Sequence, residues 1–275
     1  MTAGDSHIIE HYAMGDLGET ILRTLRDMGK DTNALTPEDL APVDAMHIRG
    51  REATVALAEH VGLESGMRVL DVGCGLGGTS RHLAVEYDCH VTGVDLTEEY
   101  CQVASLLSDR LHLADRTEFR QGSGTDLPFE DHSFDVVWTE HVQMNIAAKS
   151  DFYGEMVRVL NPGGRLAFHD VFRGDGGDVV YPVPWAEDAS ISHLMAVEEL
   201  EQQLRSLELE KVHWEDCTRV SAEWFSRAVQ RVQKHGLPSM GVRLLMGPTA
   251  RQKIINMSHN LQAGYVTVIE AVLAR

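Results

Sequence analysis

Residues 69–77, with the sequence Val-Leu-Asp-Val-Gly-Cys-Gly-Leu-Gly, join an apolar run to a turn that has glycine at every second position. The run up to Val72 predicts a buried parallel strand, since such strands are continuously apolar rather than alternating. Gly73, Gly75 and Gly77 let the backbone bend tightly and approach a ligand closely. A helix is predicted over 79–86, and its free N–H groups favour a polar or anionic partner. The stretch therefore predicts a nucleotide-binding loop, although glycines also serve plain turns.

Strand and helix patterns alternate from about residue 52 to residue 171, which is typical of a doubly wound α/β sheet. Asn161-Pro162-Gly163-Gly164 ends one helix and turns the chain into the fifth strand. Strands are predicted over 68–72, 90–95, 117–122, 134–139, 165–171, 211–217 and 265–274. Helices are predicted over 79–86, 98–114, 149–160 and 198–207, each with apolar residues at helical spacing.

The C-terminal part departs from simple alternation. Residues 221–262 are largely helical in pattern, rich in methionine and much too long for a hairpin turn. We therefore expect a mostly parallel seven-stranded sheet whose last strand is antiparallel. The expected divisions are an N-terminal lid of helices (1–45), a core (46–218), a helical cap (219–263) and a final core strand (264–275).

The charge balance limits the classes of partner. Among 275 residues, 42 are acidic and 24 basic, which gives a formal net charge of −18. Such a chain has no electrostatic attraction to nucleic acid or to an anionic membrane, so small molecules are the expected partners. The acidity itself is attributed to a solvated surface, with electrostatic steering of a substrate as the alternative. No apolar run long enough to span a membrane and no signal-peptide pattern is found, and we expect a cytoplasmic protein.

The cysteine pattern adds to the same expectation. The four cysteines have no CxxC or metal-finger spacing, which favours a reduced protein. His169-Asp170 resembles a metal pair only superficially, and no further ligand at useful spacing supports it, so no metal site is expected. The cysteines are Cys74, Cys89, Cys101 and Cys217.

A second informative acid ends the second predicted strand. Asp95 closes the run His90-Val91-Thr92-Gly93-Val94-Asp95, 24 places after Asp71. In dinucleotide-type folds an acid at this position accepts hydrogen bonds from ribose hydroxyls. The alternative is a helix N-cap role for Asp95 or Thr97 ahead of the next helix, and the two roles are compatible. Asp71 either orients the loop, accepts from the ligand's amino group or is a buried structural acid.

Taken together, the motifs resemble those of class I S-adenosylmethionine-dependent methyltransferases. Residues 69–77 are similar to the first motif of that family, and Gly-Val-Asp-Leu at 93–96 to its ribose-binding acid. Two further segments resemble parts of that family. Residues 126–137 are similar to its segment leading into the fourth strand, and residues 158–164 to its turn after the following helix. The resemblance covers about residues 45–172, and the combination is specific although each piece is common.

This resemblance implies a cofactor site. The loop glycines would lie beside the methionine and ribose parts of S-adenosylmethionine, and Leu96 would pack on the adenine ring opposite Gly124 and Thr125. Ser123 stands where the family often has an acid, so a hydroxyl would replace that contact to the adenine amino group. The expected cofactor-binding residues are Asp71, Gly73, Cys74, Gly75, Gly77, Asp95, Leu96, Ser123, Gly124, Thr125, Glu140 and His141.

The chemistry of methyl transfer suggests the remaining candidates. In-line attack on a sulfonium methyl requires the nucleophile, carbon and sulfur to be held collinear, so positioning supplies most of the rate. A tertiary amine needs no base, whereas an oxygen, a protonated amine or an acidic carbon does. His141, after the fourth strand, is the first candidate base, since histidine titrates near neutrality, and Glu140 is the second. The alternative for His141 is a plain hydrogen bond to substrate or backbone.

Other side chains are assigned to the substrate pocket or to the interior. Tyr12 belongs to a segment that this type of enzyme often folds over the cofactor, with helix packing as the alternative. Gln143 and Asn145 would grip a carboxylate or carbonyl, or are loop filler. Core packing is favoured for the large cap residues, since such side chains usually fill interiors. The candidate catalytic residues are His141, Glu140 and Tyr12. The candidate pocket residues are Tyr12, Gln143, Met144, Asn145, Trp185 and Met246. The cap residues in question are Trp224, Phe225, Met240, Met246 and Met257.

The sequence leaves several methyl acceptors open. Residues 46–54 and the cap resemble small-molecule methyltransferases, including those acting on sarcosine and dimethylglycine. The alternatives are O-, C- or S-methylation of a phenolic, isoprenoid or thiol metabolite, an NAD-dependent oxidoreductase, and a cofactor sensor without catalysis. The oxidoreductase turn would be G-x-G-x-x-G, which this loop does not follow. A homodimer is left open.

Overall fold

The computed structural model describes residues 3–13 and 15–275. Its described part contains one seven-stranded sheet flanked by helices. The strands are β1 (Arg68–Val72), β2 (His90–Asp95), β3 (Thr117–Gln121), β4 (Phe134–Glu140), β5 (Leu160–Arg173), β6 (Glu210–Asp216) and β7 (Val266–Ala274). The helices are α1 (Ala3–Tyr12), α2 (Leu17–Asp27), α3 (Pro37–Asp44), α4 (Arg51–Val61), α5 (Gly78–Glu86), α6 (Glu98–Arg110), α7 (Lys149–Val159), α8 (Val197–Ser206), α9 (Thr218–His235), α10 (Val242–Leu245) and α11 (Ala250–Gln262).

The strand order is β3-β2-β1-β4-β5-β7-β6. Strands β1 to β5 pair in parallel, and β7 runs antiparallel between β5 and β6. The predicted mostly parallel seven-stranded sheet with an antiparallel last strand is therefore confirmed. The chain order reverses between β1 and β4, and in open α/β sheets ligands bind at the carboxyl ends of the strands next to such a reversal.

The bounds of two predicted elements, the fifth strand and the helix over 98–114, differ from the structure by several residues. The fifth strand begins at Leu160 rather than Arg165, because Leu160 already pairs with Phe134 before a shift of register. The helix before it accordingly ends at Val159. Helix α6 ends at Arg110 rather than at Ala114, since the chain turns there and His112 has a positive φ of 58°.

Apolar side chains cover both faces of the sheet. Helices α4 and α5 pack on one face around Trp138, which is fully buried. Helices α7 and α8 pack on the other face, around Phe152 and Phe168. Two satellite clusters lie beside this core, one under α9 and α11 and the other between α2, α3 and α6. The sheet is thus a rigid base for the loops at its carboxyl edge.

Two segments lie outside the alternating core. We call residues 218–262, between β6 and β7, the cap segment; its helices α9 and α11 pack on each other. We call the described residues 3–13 and 15–44 the N-terminal segment. Glu99 on α6 accepts hydrogen bonds from the N–H groups of Gly15 and Leu17, each at 2.9 Å, which ties the junction of α1 and α2 to the core. None of the described helices combines the length and apolarity needed to cross a bilayer.

Candidate active site

A cavity of about 550 Å³ opens at the carboxyl ends of β1, β2 and β4. Its walls come from the loop after β1, the end of β2, the loop after β4, the N-terminal segment and the cap segment. The location agrees with the reversal of strand order, and the size is typical of small-molecule sites. This cavity brings together most of the residues that the sequence singled out.

The glycine loop after β1 forms part of the cavity wall. Gly73 has a φ of 76°, and a Cβ built there would lie 2.1 Å from a methyl carbon of Val142. Gly75 also has a positive φ of 53°, but a Cβ there would meet nothing within 4 Å. Gly73 therefore lets two loops approach each other, and Gly75 exposes the backbone to open space.

Gly77 is the exception among the predicted loop residues. It does not line the cavity. A Cβ there would lie 2.7 Å from the Phe119 ring and 2.9 Å from a guanidinium nitrogen of Arg81. Its smallness therefore serves packing between the loop and β3, so the predicted direct contact between Gly77 and the cofactor is corrected.

Asp95 fixes the glycine loop to the end of β2. One carboxylate oxygen accepts from the Gly75 N–H at 3.0 Å, and the other accepts from the Thr97 N–H at 2.9 Å. The second contact supports the start of α6, as the N-cap alternative expected, although Thr97 is the N-cap residue. Burial raises the pKa of Asp95. Each oxygen keeps acceptor capacity, and both Asp95 and Leu96 line the cavity.

Asp71 is a second buried acid of this wall. Its carboxylate accepts from the Ser80 hydroxyl at 2.6 Å, and burial raises the pKa of Asp71 to about 7. This contact links β1 to α5, so the orienting role expected for Asp71 has a structural basis. The neighbouring Cys74 lines the cavity as a buried free thiol.

The segment after β3 supplies the next part of the wall. Ser123, Gly124 and Thr125 all line the cavity, and the two hydroxyl oxygens lie 2.8 Å apart. A Cβ on Gly124 would lie 2.8 Å from the Phe152 ring, so the backbone sits directly on the core. The hydroxyl pair stands where the resemblance predicts the adenine end of the cofactor.

Glu140, at the end of β4, is held by several partners. Its carboxylate accepts from the hydroxyls of Thr79 at 2.6 Å and Thr54 at 3.1 Å. The Nε2 atom of His47 lies 3.5 Å from the same carboxylate. These contacts join β4 to the starts of α4 and α5. Glu140 thus ties the cavity floor to two helices through hydroxyl donors, and its oxygens keep further acceptor capacity.

His141 follows Glu140 and lines the cavity in an unusual backbone conformation, with a φ of 55°. Its ring stacks on that of His47 at 6.0 Å between centroids. Neither ring nitrogen has a hydrogen-bond partner in the described part of the chain. Burial, together with the nearby His47, lowers the pKa of His141 to about 3. The ring is therefore neutral near pH 7, and both of its nitrogens are buried although other atoms of the residue line the cavity.

A buried acid that sequence reasoning did not use holds this loop. The Asp170 carboxylate accepts from the N–H groups of Val142, Gln143 and Val171 at 2.9, 3.0 and 2.7 Å. Burial raises the pKa of Asp170 to about 6. Its position at the end of a parallel strand was the signal that could have identified it.

The predicted substrate residues fall into two groups. Five of them line the cavity, whereas Gln143 is fully buried outside its wall and donates to the Val171 carbonyl. The prediction that Gln143 contacts the substrate is therefore corrected, because its amide serves the loop. The five lining residues are Tyr12, Met144, Asn145, Trp185 and Met246.

Asn145 joins several parts of the cavity wall. Its amide nitrogen donates to the carbonyls of Trp185 at 3.0 Å and Ile191 at 2.8 Å. Its oxygen accepts from the Tyr12 hydroxyl at 3.1 Å. Burial raises the pKa of that hydroxyl, so Tyr12 remains a donor. This pair closes the N-terminal segment onto the loop after β4, which leaves Asn145 no free group for a substrate carboxylate.

Several cap residues for which the sequence favoured core packing line the cavity as well. Trp224, Phe225 and Met257 face it, while Met240 is buried against the N-terminal segment. Helical spacing shows that a face is covered but does not distinguish core from cavity, so sequence reasoning missed the lining role.

Two groups of side chains in the described part of the chain have the ligand types and spacing that could hold a metal ion, and both include Glu270; one of them adds His60 and His213. His169, Cys217 and Glu270 offer atoms within 4.8 Å of one another. An Arg49 guanidinium nitrogen lies 3.8 Å from a Glu270 oxygen and 3.6 Å from the Cys217 sulfur. Positive charge at this place is thus supplied by arginine. The absence of a metal site stays a prediction.

Comparison with known proteins finds sequence similarity to methyltransferases. Residues 70–168 match the family described as a methyltransferase domain. A sterol 24-C-methyltransferase of Gibberella zeae is 38% identical over 114 residues, which are 42% of this chain and 30% of that protein. A glycine/sarcosine/dimethylglycine N-methyltransferase of Actinopolyspora halophila is 29% identical over 174 residues, 63% of this chain and 31% of that protein. The chain spans about a third of the length of these two relatives.

Solved structures share the architecture. The phosphoethanolamine N-methyltransferase 2 of Haemonchus contortus, in complex with phosphomonomethylethanolamine and S-adenosylhomocysteine, has a TM-score of 0.71 at 20% identity. The likeness covers 82% of this chain and 53% of that chain, and it concerns the fold. The matched residues contain most of β1, all of β2 to β4 and most of β5, with the glycine loop and Asp95. This chain is therefore similar to class I S-adenosylmethionine-dependent methyltransferases: residues 70–168 match a methyltransferase domain, and the fold is that of a solved methyltransferase.

Proposed function

We propose that this protein transfers the methyl group of S-adenosylmethionine to a small-molecule acceptor. The observation that carries the proposal is the contact between the Asp95 carboxylate and the Gly75 N–H, beside open space at Gly75. It places an acid with spare acceptor capacity next to a backbone that a ligand can approach. The family match supports the same donor.

The residues present fit such a cofactor. Asp95 would accept from the ribose hydroxyls, and Asp71 would face the ammonium group of the methionine part. Leu96 and the 123–125 segment would enclose the adenine. When bound, S-adenosylmethionine supplies an electrophilic methyl group on a sulfonium sulfur. The acids suit the net positive charge of this molecule.

His141 is the proposed base. It lines the cavity, it is neutral near pH 7 because burial lowers its pKa to about 3, and neither of its buried nitrogens has a hydrogen-bond partner among the described residues. A low pKa makes it a weak base in the ground state, so it would take the proton only as the acceptor's oxygen becomes positive. Its role would be to orient the acceptor by a hydrogen bond and to receive that proton. Glu140 and Tyr12 would position neighbouring groups rather than react.

The segments around the cavity have proposed roles too. The N-terminal segment, in which the Tyr12 hydroxyl donates a hydrogen bond to Asn145, would act as a lid. The cap segment would contribute the part of the cavity wall that contacts the methyl acceptor. We propose that the cofactor-binding core comprises residues 46–218 and 264–275 and that the protein is cytoplasmic. A homodimer also stays a prediction.

Other functions differ in what they require. An NAD-dependent oxidoreductase has no support from the family match. A sensor without catalysis would not require space in the cavity for a methyl acceptor beside the cofactor. Methylation of an amine such as sarcosine or dimethylglycine is the second candidate, supported by the relative of that name from Actinopolyspora halophila.

Thermal unfolding with added ligands tests the proposal. S-adenosylhomocysteine at about 100 times its Kd should stabilise the protein by about 2.7 kcal/mol, a rise in Tm of about 5–10 °C. NAD should leave the Tm unchanged. A variant with Asp95→Ala should lose the response to S-adenosylhomocysteine. Equal stabilisation by NAD, or none by S-adenosylhomocysteine, would contradict the proposed donor.

A further inference from the structure

The part of the cavity wall remote from the glycine loop is apolar. Helices α9, α10 and α11 and the residues just after α10 contribute two aromatic rings, two methionines and several aliphatic side chains. Further apolar side chains come from α1 and from the loops after β4 and β5. This surface, which we call the acceptor wall, is formed by Ile8, Met144, Trp185, Ile191, Trp224, Phe225, Ala228, Leu245, Met246, Ile254 and Met257.

No lysine or arginine is among the described residues that line the cavity. Cations near it are engaged elsewhere. The Lys253 ammonium lies 2.8 Å from a Glu187 oxygen and 3.3 Å from the Met246 carbonyl, behind the acceptor wall. Lys149 donates to the Gln143 carbonyl. The carboxylate or phosphate of an acceptor would therefore find no cationic partner in this wall.

The ionisable residues that line the cavity also disfavour an anionic acceptor. The acids among them are Asp5, Asp44, Asp71, Asp95 and Glu140, of which Asp44 is paired with Arg81, and the lining histidines are His7, His47, His141 and His193. An anionic acceptor would lose its hydration and face like charges at the cofactor end, which opposes binding. A cavity with acids at one end and an apolar wall at the other suits a cationic donor and an uncharged acceptor.

We propose, resting on the proposed function, that the acceptor is an uncharged, largely apolar molecule with a hydroxyl group that reaches His141. A lone pair of the acceptor oxygen forms the bond to the methyl carbon while the carbon–sulfur bond breaks. The electron pair of the broken bond stays on sulfur. The hydroxyl proton passes to a nitrogen of His141 and then to water. An acidic metabolite such as dimethylglycine lacks a partner for its carboxylate here, because Asn145 and Gln143 are engaged by the protein.

Binding of matched probes tests this inference. Farnesol, farnesyl diphosphate and dimethylglycine are titrated in the presence of S-adenosylhomocysteine, with the fluorescence of Trp185 and Trp224 as the readout. Farnesol should bind at least about tenfold more tightly than either charged probe, since each 1.4 kcal/mol is a factor of about ten. Equal or tighter binding of a charged probe, or no binding of farnesol, would overturn the inference.

Variants that place a cation in the acceptor wall provide the reverse test. Met246→Lys should shift the preference toward farnesyl diphosphate by about tenfold, a gain typical of a charge-assisted contact. Leu245→Lys, at a second partly exposed lining position, gives the same test if the first variant unfolds. Met28→Lys adds the same charge at a residue that is 48% exposed and outside the cavity, and should change nothing. An unchanged preference in folded Met246→Lys and Leu245→Lys would overturn the inference.

The Tm shift with S-adenosylhomocysteine, measured on the same samples, separates the two levels. If that shift is present and farnesol has no advantage, the acceptor class is wrong while the proposed function stands. If the shift is absent, the proposed function itself fails, and the acceptor inference fails with it.

Discussion

The two ends of the cavity are built in different ways. The cofactor end consists of backbone turns and acidic side chains at the ends of adjacent strands, within the 55 residues from Asp71 to Thr125. The acceptor wall consists of large apolar side chains from helices and loops spread between Ile8 and Met257. The first end is fixed by the sheet, since parallel strands bring their carboxyl ends together. The second depends on how separate segments pack.

This difference explains what each end can recognise. Carboxylates and backbone N–H groups give directional contacts that suit one cofactor. Apolar walls select mainly by shape and discriminate weakly between molecules of similar size. The names of two relatives agree with this, since one is a sterol 24-C-methyltransferase and the other a glycine/sarcosine/dimethylglycine N-methyltransferase.

The largest expected effect is at the cofactor end. Asp95→Ala should weaken binding of S-adenosylhomocysteine by about 100-fold or more, because two hydrogen bonds to a charged group contribute about 1.5–3 kcal/mol each. The affinity is measured by calorimetry, with circular dichroism as the check on folding. Glu118→Ala, an acid that is 58% exposed on β3, is the matched control and should keep full affinity. Unchanged binding in Asp95→Ala would break the assignment of the two ends.

The junction of the two ends is tested at His141. His141→Asn should lower kcat by about 100-fold or more if the ring receives a proton, while the affinity for S-adenosylhomocysteine stays unchanged. Asparagine is chosen because it tolerates the positive φ of 55°. His132→Asn is the control, since that exposed histidine has the same φ. A loss of cofactor affinity equal to the loss in kcat would place His141 at the cofactor end instead.

The pH dependence of cofactor binding sharpens the role of Asp71. Burial raises the pKa of this carboxyl to about 7, so its proton must leave before it can accept from the ammonium group of the cofactor. The affinity for S-adenosylhomocysteine should therefore rise with pH by up to about tenfold per unit below pH 7 and level off above it. Asp71→Asn should remove this dependence.

The same group makes an opposite contribution to folding. Since the pKa of Asp71 is higher in the folded protein than in the unfolded chain, its contribution to stability is fully present below the unfolded value. That contribution is lost as the pH rises to about 7. Relative to wild type, ligand-free Asp71→Asn should consequently gain Tm at about pH 8 and gain little at about pH 4. A gain that is the same at both pH values would contradict the shifted pKa.

The smallest effect is expected where the N-terminal segment closes the cavity. Tyr12→Phe removes one hydrogen bond to Asn145, which is about 1 kcal/mol or roughly fivefold in binding. Because this contact bridges both ends, cofactor affinity and acceptor KM should change together. Tyr87→Phe, outside the cavity, is the control. A change in only one of the two would show that Tyr12 serves a single end.

The sequence predicted the cofactor end well because its signals are local. Strands β1 and β2 have the predicted bounds, and the glycine turn and Asp95 lie at their ends. Each of these features results from a short stretch whose residues determine backbone conformation directly. Gly77 was misjudged, since a positive φ does not tell which way the missing side chain would point.

The acceptor wall was less predictable for a physical reason. Trp224 and Met257 are apolar on the face of a helix, and only the tertiary structure decides whether that face meets core or cavity. Gln143 and Asn145 were both expected to face a substrate. Hydrogen bonds to distant carbonyls, of Val171 and Trp185, hold them in the protein, and sequence patterns carry no information on such contacts.

A crystal structure with S-adenosylhomocysteine tests the central claim most directly. The account predicts both ribose hydroxyls within hydrogen-bond distance of Asp95, the amino group near Asp71 and the sulfur directed toward His141 and the acceptor wall. A ligand bound elsewhere, or one whose ribose hydroxyls do not contact Asp95, would contradict it.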